Sequence, residues 1–133
     1  ITMDAAAMGN PAANPPLRVL DIGRLGYAES LGVQRAINGA VAEGAAPPTL
    51  LLVEHDPVIT VTPRKGAAAH VLLPRERLLA MGVDVQETDR GGDVTYHGPG
   101  QLVAYPILRL APLGLNLGRY MRFLEEVVIE TLA

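Results

Sequence analysis

The stretch RGGDVTYHGPGQ, Arg90 to Gln101, decides how this chain is read. It holds four glycines, one proline, one arginine and one histidine, directly ahead of the apolar run Leu102 to Leu110. Glycine at that density marks backbone that turns tightly or lies close against another group. On the residues alone, three uses of such a loop are open. It can connect a strand ending near Thr88 to one starting near Leu102. It can cradle an anionic or carbonyl group on backbone N–H donors around Gly91 and Gly92, with Arg90 nearby. It can hold a nucleotide, although neither G-x-G-x-x-G nor G-x-x-x-x-G-K-[ST] is present to support that use. His97 is open between a general base, a ligand-facing donor and a turn residue satisfied by its neighbours.

Upstream of the loop, Val83 to Thr88 alternates as a strand. Pro74 suits the first turn of a short helix through Met81, with Gly82 ending it. Arg64 to His70 reads as a loop. The apolar runs Thr49 to Val53 and Val58 to Val61 read as strands on either side of the turn His55-Asp56-Pro57. Gly26 to Glu43 reads as a helix with Tyr27, Leu31, Ile37 and Val41 on one side and Gly44 as its stop. Leu17 to Ile22 makes a short strand, and residues 1–16, rich in Ala, Asn and Pro, a loose tail. Downstream, Leu102 to Leu110 reads as a strand in which Pro106 requires an edge position or a bulge. Leu117, Tyr120, Met121, Leu124, Val127, Val128 and Leu132 form one apolar stripe of a last helix. No Gly, Asn or Pro follows Leu132, so this helix reads as cut rather than finished. The mixture predicts an α+β fold for residues 17–133, one domain built on a mixed, largely antiparallel sheet with flanking helices.

Composition narrows the function classes. The chain has 133 residues, 49% apolar and 19% charged, which suits one domain with a core. A net charge of −3 with scattered basic residues offers no nucleic-acid footprint. No apolar run spans a bilayer, and residues 1–16 lack the basic and apolar parts of a signal peptide, so a cytoplasmic protein without membrane contact is expected. There is no cysteine, which removes disulfides, thiolate metal sites and a cysteine nucleophile from these residues. His55, His70 and His97 lack a familiar ligand spacing, and no metal site is expected. Ser30, the one serine, lies mid-helix, and Lys65, the one lysine, reads as solvated surface. Thr95 is the remaining nucleophile candidate, with nothing to support it. The residues alone describe a binding surface without an obvious reactive group.

The run RGGDVTYHGPGQLVAYPI, Arg90 to Ile107, resembles the signature of lipoyl(octanoyl) transferases, R-G-G-x-x-T-Y-H-x-x-G-Q followed by a strand. Pro48 to Ile59, PTLLLVEHDPVI, resembles the family's strand-loop-strand around E-H-x-P-V, and Leu115 to Ala133 resembles the helix after its sheet. The likeness covers about residues 18 to 133. It implies a biotin/lipoate protein ligase catalytic-domain fold, truncated to its N-terminal part. Lipoate ligases share that fold in the family picture but lack the T-Y-H-G-P-G-Q wording.

The resemblance also implies a reaction. Octanoyl passes from octanoyl-acyl carrier protein to an enzyme cysteine, then to a lysine of the lipoyl domains of 2-oxoacid dehydrogenases or of the glycine-cleavage H protein. Neither metal nor nucleotide cofactor is implied, because the thioester is already activated. Carried over by position, Arg90, Gly91, Gly92, Asp93, Val94, Thr95, Tyr96 and His97 would line the acyl-binding site. Arg90 and His97 would frame its polar end, and one of Thr95 and Tyr96 would face inward. The family's catalytic Cys and Lys lie C-terminal to this signature, beyond Ala133, and Lys65 precedes it and is not that lysine. On this reading the chain alone forms no acyl-enzyme. Two other readings stay open: a non-catalytic module that binds acyl or lipoyl-domain proteins or is completed by another chain, and an ATP-dependent lipoate ligase.

Overall fold

The structure is a computed structural model that describes residues 15–133. Of the expected N-terminal tail, only Pro15 and Pro16 are among them, both exposed and without regular structure. Strand β1 spans Arg18–Leu25, helix α1 Tyr27–Ala42, strand β2 Thr49–His55 and strand β3 Val58–Val61. After these come helix α2 at Arg75–Ala80, strands β4 at Asp84–Glu87, β5 at Thr95–His97 and β6 at Leu102–Ile107, and helix α3 at Leu117–Leu132.

The alternation in β2 places Thr49, Leu51, Val53 and His55 on one face, and all four are completely buried. Complete burial of side chains such as Leu51 and Val53 stabilises the fold by about 1.5–3 kcal/mol each. With β2 at its centre, the first sheet has the order β1-β2-β6. β1 runs parallel to β2, which requires a crossover, and α1 supplies it. β6 is antiparallel and sets Tyr105 opposite Leu51 and Pro106 opposite Leu50. Pro106 thus lies on an edge strand, the position its missing N–H demands. α1 packs on β2 and β6 and buries Tyr27, Ser30 and Val41.

The second sheet has the order β4-β3-β5. β4 is parallel to β3, joined through α2, which buries Leu78 and packs on β4. β5 is antiparallel and pairs Thr95 with Thr60, Tyr96 with Ile59 and His97 with Val58. The mixed sheet with flanking helices is the expected architecture, arranged as two three-stranded sheets with two parallel and two antiparallel pairings.

Three local expectations need correction. Thr95–His97 is a strand rather than part of a continuous loop, because β3 offers it a partner edge. Three residues flanked by glycines are too short for periodicity to reveal. Ala67–His70, expected as loop, forms a 3-10 turn entered through Gly66. β6 stops at Ile107, and Ala111–Leu113 form another 3-10 turn instead of extending it.

α3 starts where the Asn116 side chain accepts the N–H of Arg119, a side-chain N-cap. Its apolar stripe exists as expected, but little of it is covered. The Tyr120 hydroxyl donates to the Pro106 carbonyl at 3.4 Å, and Phe123 and Leu124 are half-buried. Leu117, Met121, Val128, Ile129 and Leu132 are exposed. Among the described residues, no helix is long and apolar enough to cross a membrane.

Candidate functional site

The glycine loop is held from beneath by threonines. On β3, Thr60 faces inward and is completely buried, and Thr62 just beyond the strand is nearly so. Arg90 folds back onto this face: Nη2 donates to Thr60 Oγ1 at 2.9 Å and Nε to the same oxygen at 3.3 Å. Arg90 also gathers its own loop, donating from Nη2 to the Asp93 carbonyl at 2.7 Å and from Nη1 to the Gly91 carbonyl at 2.9 Å. Thr62 Oγ1 donates to the Gly92 carbonyl at 3.0 Å. At the loop's start, Thr88 Oγ1 accepts the Tyr27 hydroxyl at 3.2 Å and the Arg90 N–H at 3.4 Å. Gly92 has φ +91°, a conformation that a Cβ would strain.

These bonds engage the carbonyls of Gly91, Gly92 and Asp93 with side-chain donors. The N–H groups of Gly91 and Gly92 donate to no acceptor among the described residues, and both glycines are exposed. They border a cavity of about 440 Å³ lined also by Thr62, Arg64, Asp89 and Arg90. Two adjacent backbone donors beside a guanidinium make a pocket for a carbonyl oxygen or an anion. A second, mixed groove of about 460 Å³ runs between α1 and β6 and meets this cavity at Asp89.

Asp93 faces away from the cradle. Its Oδ1 lies 2.9 Å from His70 Nδ1, and Oδ2 lies 3.6 Å from Arg64 Nη1. The His70 hydrogen bond, followed by the Val94 N–H, holds the carboxyl below its ordinary value, so it stays charged. Tyr96 is exposed and lies across Gly98, where a Cβ would overlap the phenol ring. A side chain at position 98 would push the exposed Tyr96 phenol aside.

His97 and His55 meet on the other side of β5. Their ring centroids are 5.5 Å apart, with Tyr27 5.4 Å and Tyr105 6.0 Å from His55. His55 Nδ1 lies 3.3 Å from the Leu25 carbonyl and Nε2 3.0 Å from the Tyr105 hydroxyl. A carbonyl only accepts, so Nδ1 carries the proton and Nε2 accepts from Tyr105. Burial lowers the His55 pKa from the ordinary value, outweighing the Leu25 carbonyl that favours the cation, and raises that of Tyr105. His55 is thus a neutral, fixed wall for His97. His97 Nδ1 lies 2.6 Å from Gln101 Oε1, which also accepts only, leaving Nε2 as the basic nitrogen. The Gly98 to Gly100 turn is tied down by Glu54, whose Oε2 accepts the Gly100 N–H at 2.7 Å.

The eight residues expected to line one site do not share one surface. Arg90, Gly91 and Gly92 form the cradle, Asp93 bonds outward, Val94 to Tyr96 border a separate apolar groove, and His97 packs on His55. Sequence reasoning missed Thr60, Thr62 and Thr88, which hold the loop, and Tyr27 and Tyr105, which flank His55. The alternation of β2 carried a signal for His55, since it falls in register with Leu51 and Val53. Nothing local marked the threonines.

Comparison with known proteins adds an independent line. Residues 26–133 match the family model described as the lipoyl protein ligase A/B catalytic domain. An octanoyltransferase of Roseiflexus sp. (strain RS-1) is 47% identical over 116 residues, covering 87% of this chain and 48% of that protein. An octanoyltransferase of Syntrophotalea carbinolica is 45% identical over 117 residues, covering 88% of this chain and 52% of that protein. The chain thus spans about half the length of the curated relatives it matches. Among solved structures, a T. acidophilum protein described as a candidate lipoate protein ligase, with lipoic acid bound, superimposes with a TM-score of 0.52. It is 22% identical over 66% of this chain and 36% of its own, a likeness of fold.

Proposed function

Because the chain belongs to the lipoyl protein ligase A/B catalytic-domain family, we propose that it carries the acyl-holding part of an octanoyltransferase. The donor is octanoyl-acyl carrier protein, and the acceptor is a lysine on a lipoyl domain of a 2-oxoacid dehydrogenase or on the glycine-cleavage H protein. The observation that carries this reading is the pair of Gly91 and Gly92 N–H groups, unengaged among the described residues, beside the Arg90 guanidinium. In acyl transfer, negative charge develops on the carbonyl oxygen, and preorganised donors at that point lower the barrier. The four bonds made by Arg90 supply the preorganisation, since the loop need not rearrange when the acyl group arrives.

In the proposed cycle a cysteine thiolate attacks the donor thioester and displaces the carrier thiolate, which takes up a proton from solvent. The neutral lysine amine of the acceptor then attacks the enzyme thioester, forming the amide, returning the thiolate and losing its proton to solvent. This chain has no cysteine and one lysine, Lys65, which is exposed and precedes the loop in sequence. The nucleophile and its lysine partner would therefore come from outside these 133 residues, and the chain alone would hold octanoyl without reacting.

Intact mass spectrometry tests this. The chain mixed with octanoyl-acyl carrier protein gains no octanoyl mass, and joining it to a Cys- and Lys-bearing C-terminal portion of a relative produces the adduct. No adduct after joining overturns the reading and favours a non-catalytic module. The lipoic acid bound to the T. acidophilum protein favours one other reading, ATP-dependent lipoate ligation. A null ATP titration of the joined protein removes it.

A further inference from the structure

Ile59 and Thr60 are neighbours on β3, so their side chains point to opposite faces. Behind the loop, on the Ile59 face, a groove of about 350 Å³ is lined by Ile59, Leu72, Leu73, Leu78 and Tyr96, almost wholly apolar. Three of these side chains stand out into solvent: Leu72 is 90% exposed, Tyr96 53% and Leu73 42%. Leu79 and Met81, at the end of α2, extend the exposed apolar surface. Apolar side chains gathered in this way mark a contact surface more often than scattered ones do.

The surroundings are basic. Between residues 63 and 81 lie Arg64, Lys65, Arg75 and Arg77 with one acidic residue, Glu76, in a chain whose net charge is −3. Among the described residues, Lys65, Arg75 and Arg77 have no ion-pair partner. Arg75 and Arg77 sit on the helix whose Leu78 lines the groove. The groove also adjoins the cradle: His70 lines the groove, Arg64 lines the loop cavity, and both hold Asp93.

We propose that this surface docks the carrier protein that delivers the acyl thioester, through an acidic helical face bearing a protruding apolar side chain. The proposal rests on the octanoyl-transfer reading above. Its chemistry follows from the surface: the apolar side chain fills the groove beside Leu72 and Tyr96, and the carboxylates face Arg75, Arg77 and Lys65. Such charges act mainly by steering association and setting its salt dependence. Asp93, held by His70 of the groove and Arg64 of the loop cavity, connects the docking surface to the cradle.

Fluorescence anisotropy of the full chain with labelled octanoyl-acyl carrier protein tests the proposal, with octanoyl-pantetheine as a small thioester that has no protein surface. Arg75→Glu/Arg77→Glu raises Kd for the carrier protein by about tenfold at low salt and flattens its salt dependence. Leu72→Asp, which removes no core contact, weakens the same binding. Both variants keep the far-UV circular dichroism and the octanoyl-pantetheine affinity of the parent. Carrier binding that is absent, or unchanged in both variants, overturns the docking surface. So does a loss of self-association in the variants with carrier binding intact, which would make a second copy the occupant. Charge-dependent carrier binding without any octanoyl-pantetheine binding sustains the docking surface and refutes the cradle.

Discussion

Thr60→Val removes one oxygen from beneath the glycine loop while keeping shape and strand preference, since valine is nearly isosteric and also β-branched. The lost contacts are the Arg90 Nη2 bond at 2.9 Å, the Nε bond at 3.3 Å and a long hydroxyl bond to the Thr95 carbonyl at 3.4 Å. A hydrogen bond to a charged group contributes about 1.5–3 kcal/mol, and the two longer contacts contribute less. Arg90 is only half-buried and regains water, which offsets part of the loss. The expected cost is about 2 kcal/mol, or roughly 6–10 °C in Tm for a domain of this size. Urea unfolding gives the free energy, and hydrogen exchange at Gly91 to Val94 reports whether the loop loosens. The decisive measurement is a double-mutant cycle with Arg90→Met. If the contact carries the effect, Thr60→Val costs much less in the Arg90→Met background, with a coupling of about 1–2 kcal/mol. A coupling below about 0.3 kcal/mol would refute the claim that β3 holds the loop through Arg90.

Three further outcomes follow from the same geometry. Gly92→Ala places a Cβ at φ +91° and 3.3 Å from Arg90 Nη1, whereas Gly91→Ala meets no atom within 4 Å at an ordinary φ. Gly92→Ala should therefore lower urea stability by about 1–2 kcal/mol and Gly91→Ala by less than about 0.5 kcal/mol; equal costs would contradict the loop conformation. His55 has a folded pKa lowered by burial, so below about 6.5 the unfolded chain takes up a proton that the folded chain refuses. Stability is fully present above that pH and declines as pH falls through it. Differential scanning calorimetry should show Tm falling from pH 7 to pH 5, with the slope reduced in His55→Phe; an unchanged slope would exclude His55 as its source. Asp93 acts in a lower window. Its depressed pKa contributes stability present above about pH 4 and lost as pH falls through the folded value, and Asp93→Asn removes that contribution.

Sequence alone determined the elements whose apolar pattern is long enough to carry a period. The strand β2, the helices α1 and α3, the edge or bulge required by Pro106 and the singular wording of Arg90 to Gln101 could all be read from the residues. Each is a local property, set by side-chain alternation, by a missing N–H or by glycine spacing. Tertiary structure decided what those elements are used for. Only the pairing of β5 on β3 shows that the loop is broken by a strand and that its eight candidate residues divide between two faces. Only the approach of Thr60, thirty residues before Arg90, shows that Arg90 also clamps its own loop onto β3. His55 likewise looked like one of three unrelated histidines until β1, α1 and β6 enclosed it. Hydrogen bonds between residues far apart in the chain leave no period in the sequence, because the chain is free to choose their spacing and the fold alone brings them within 3 Å.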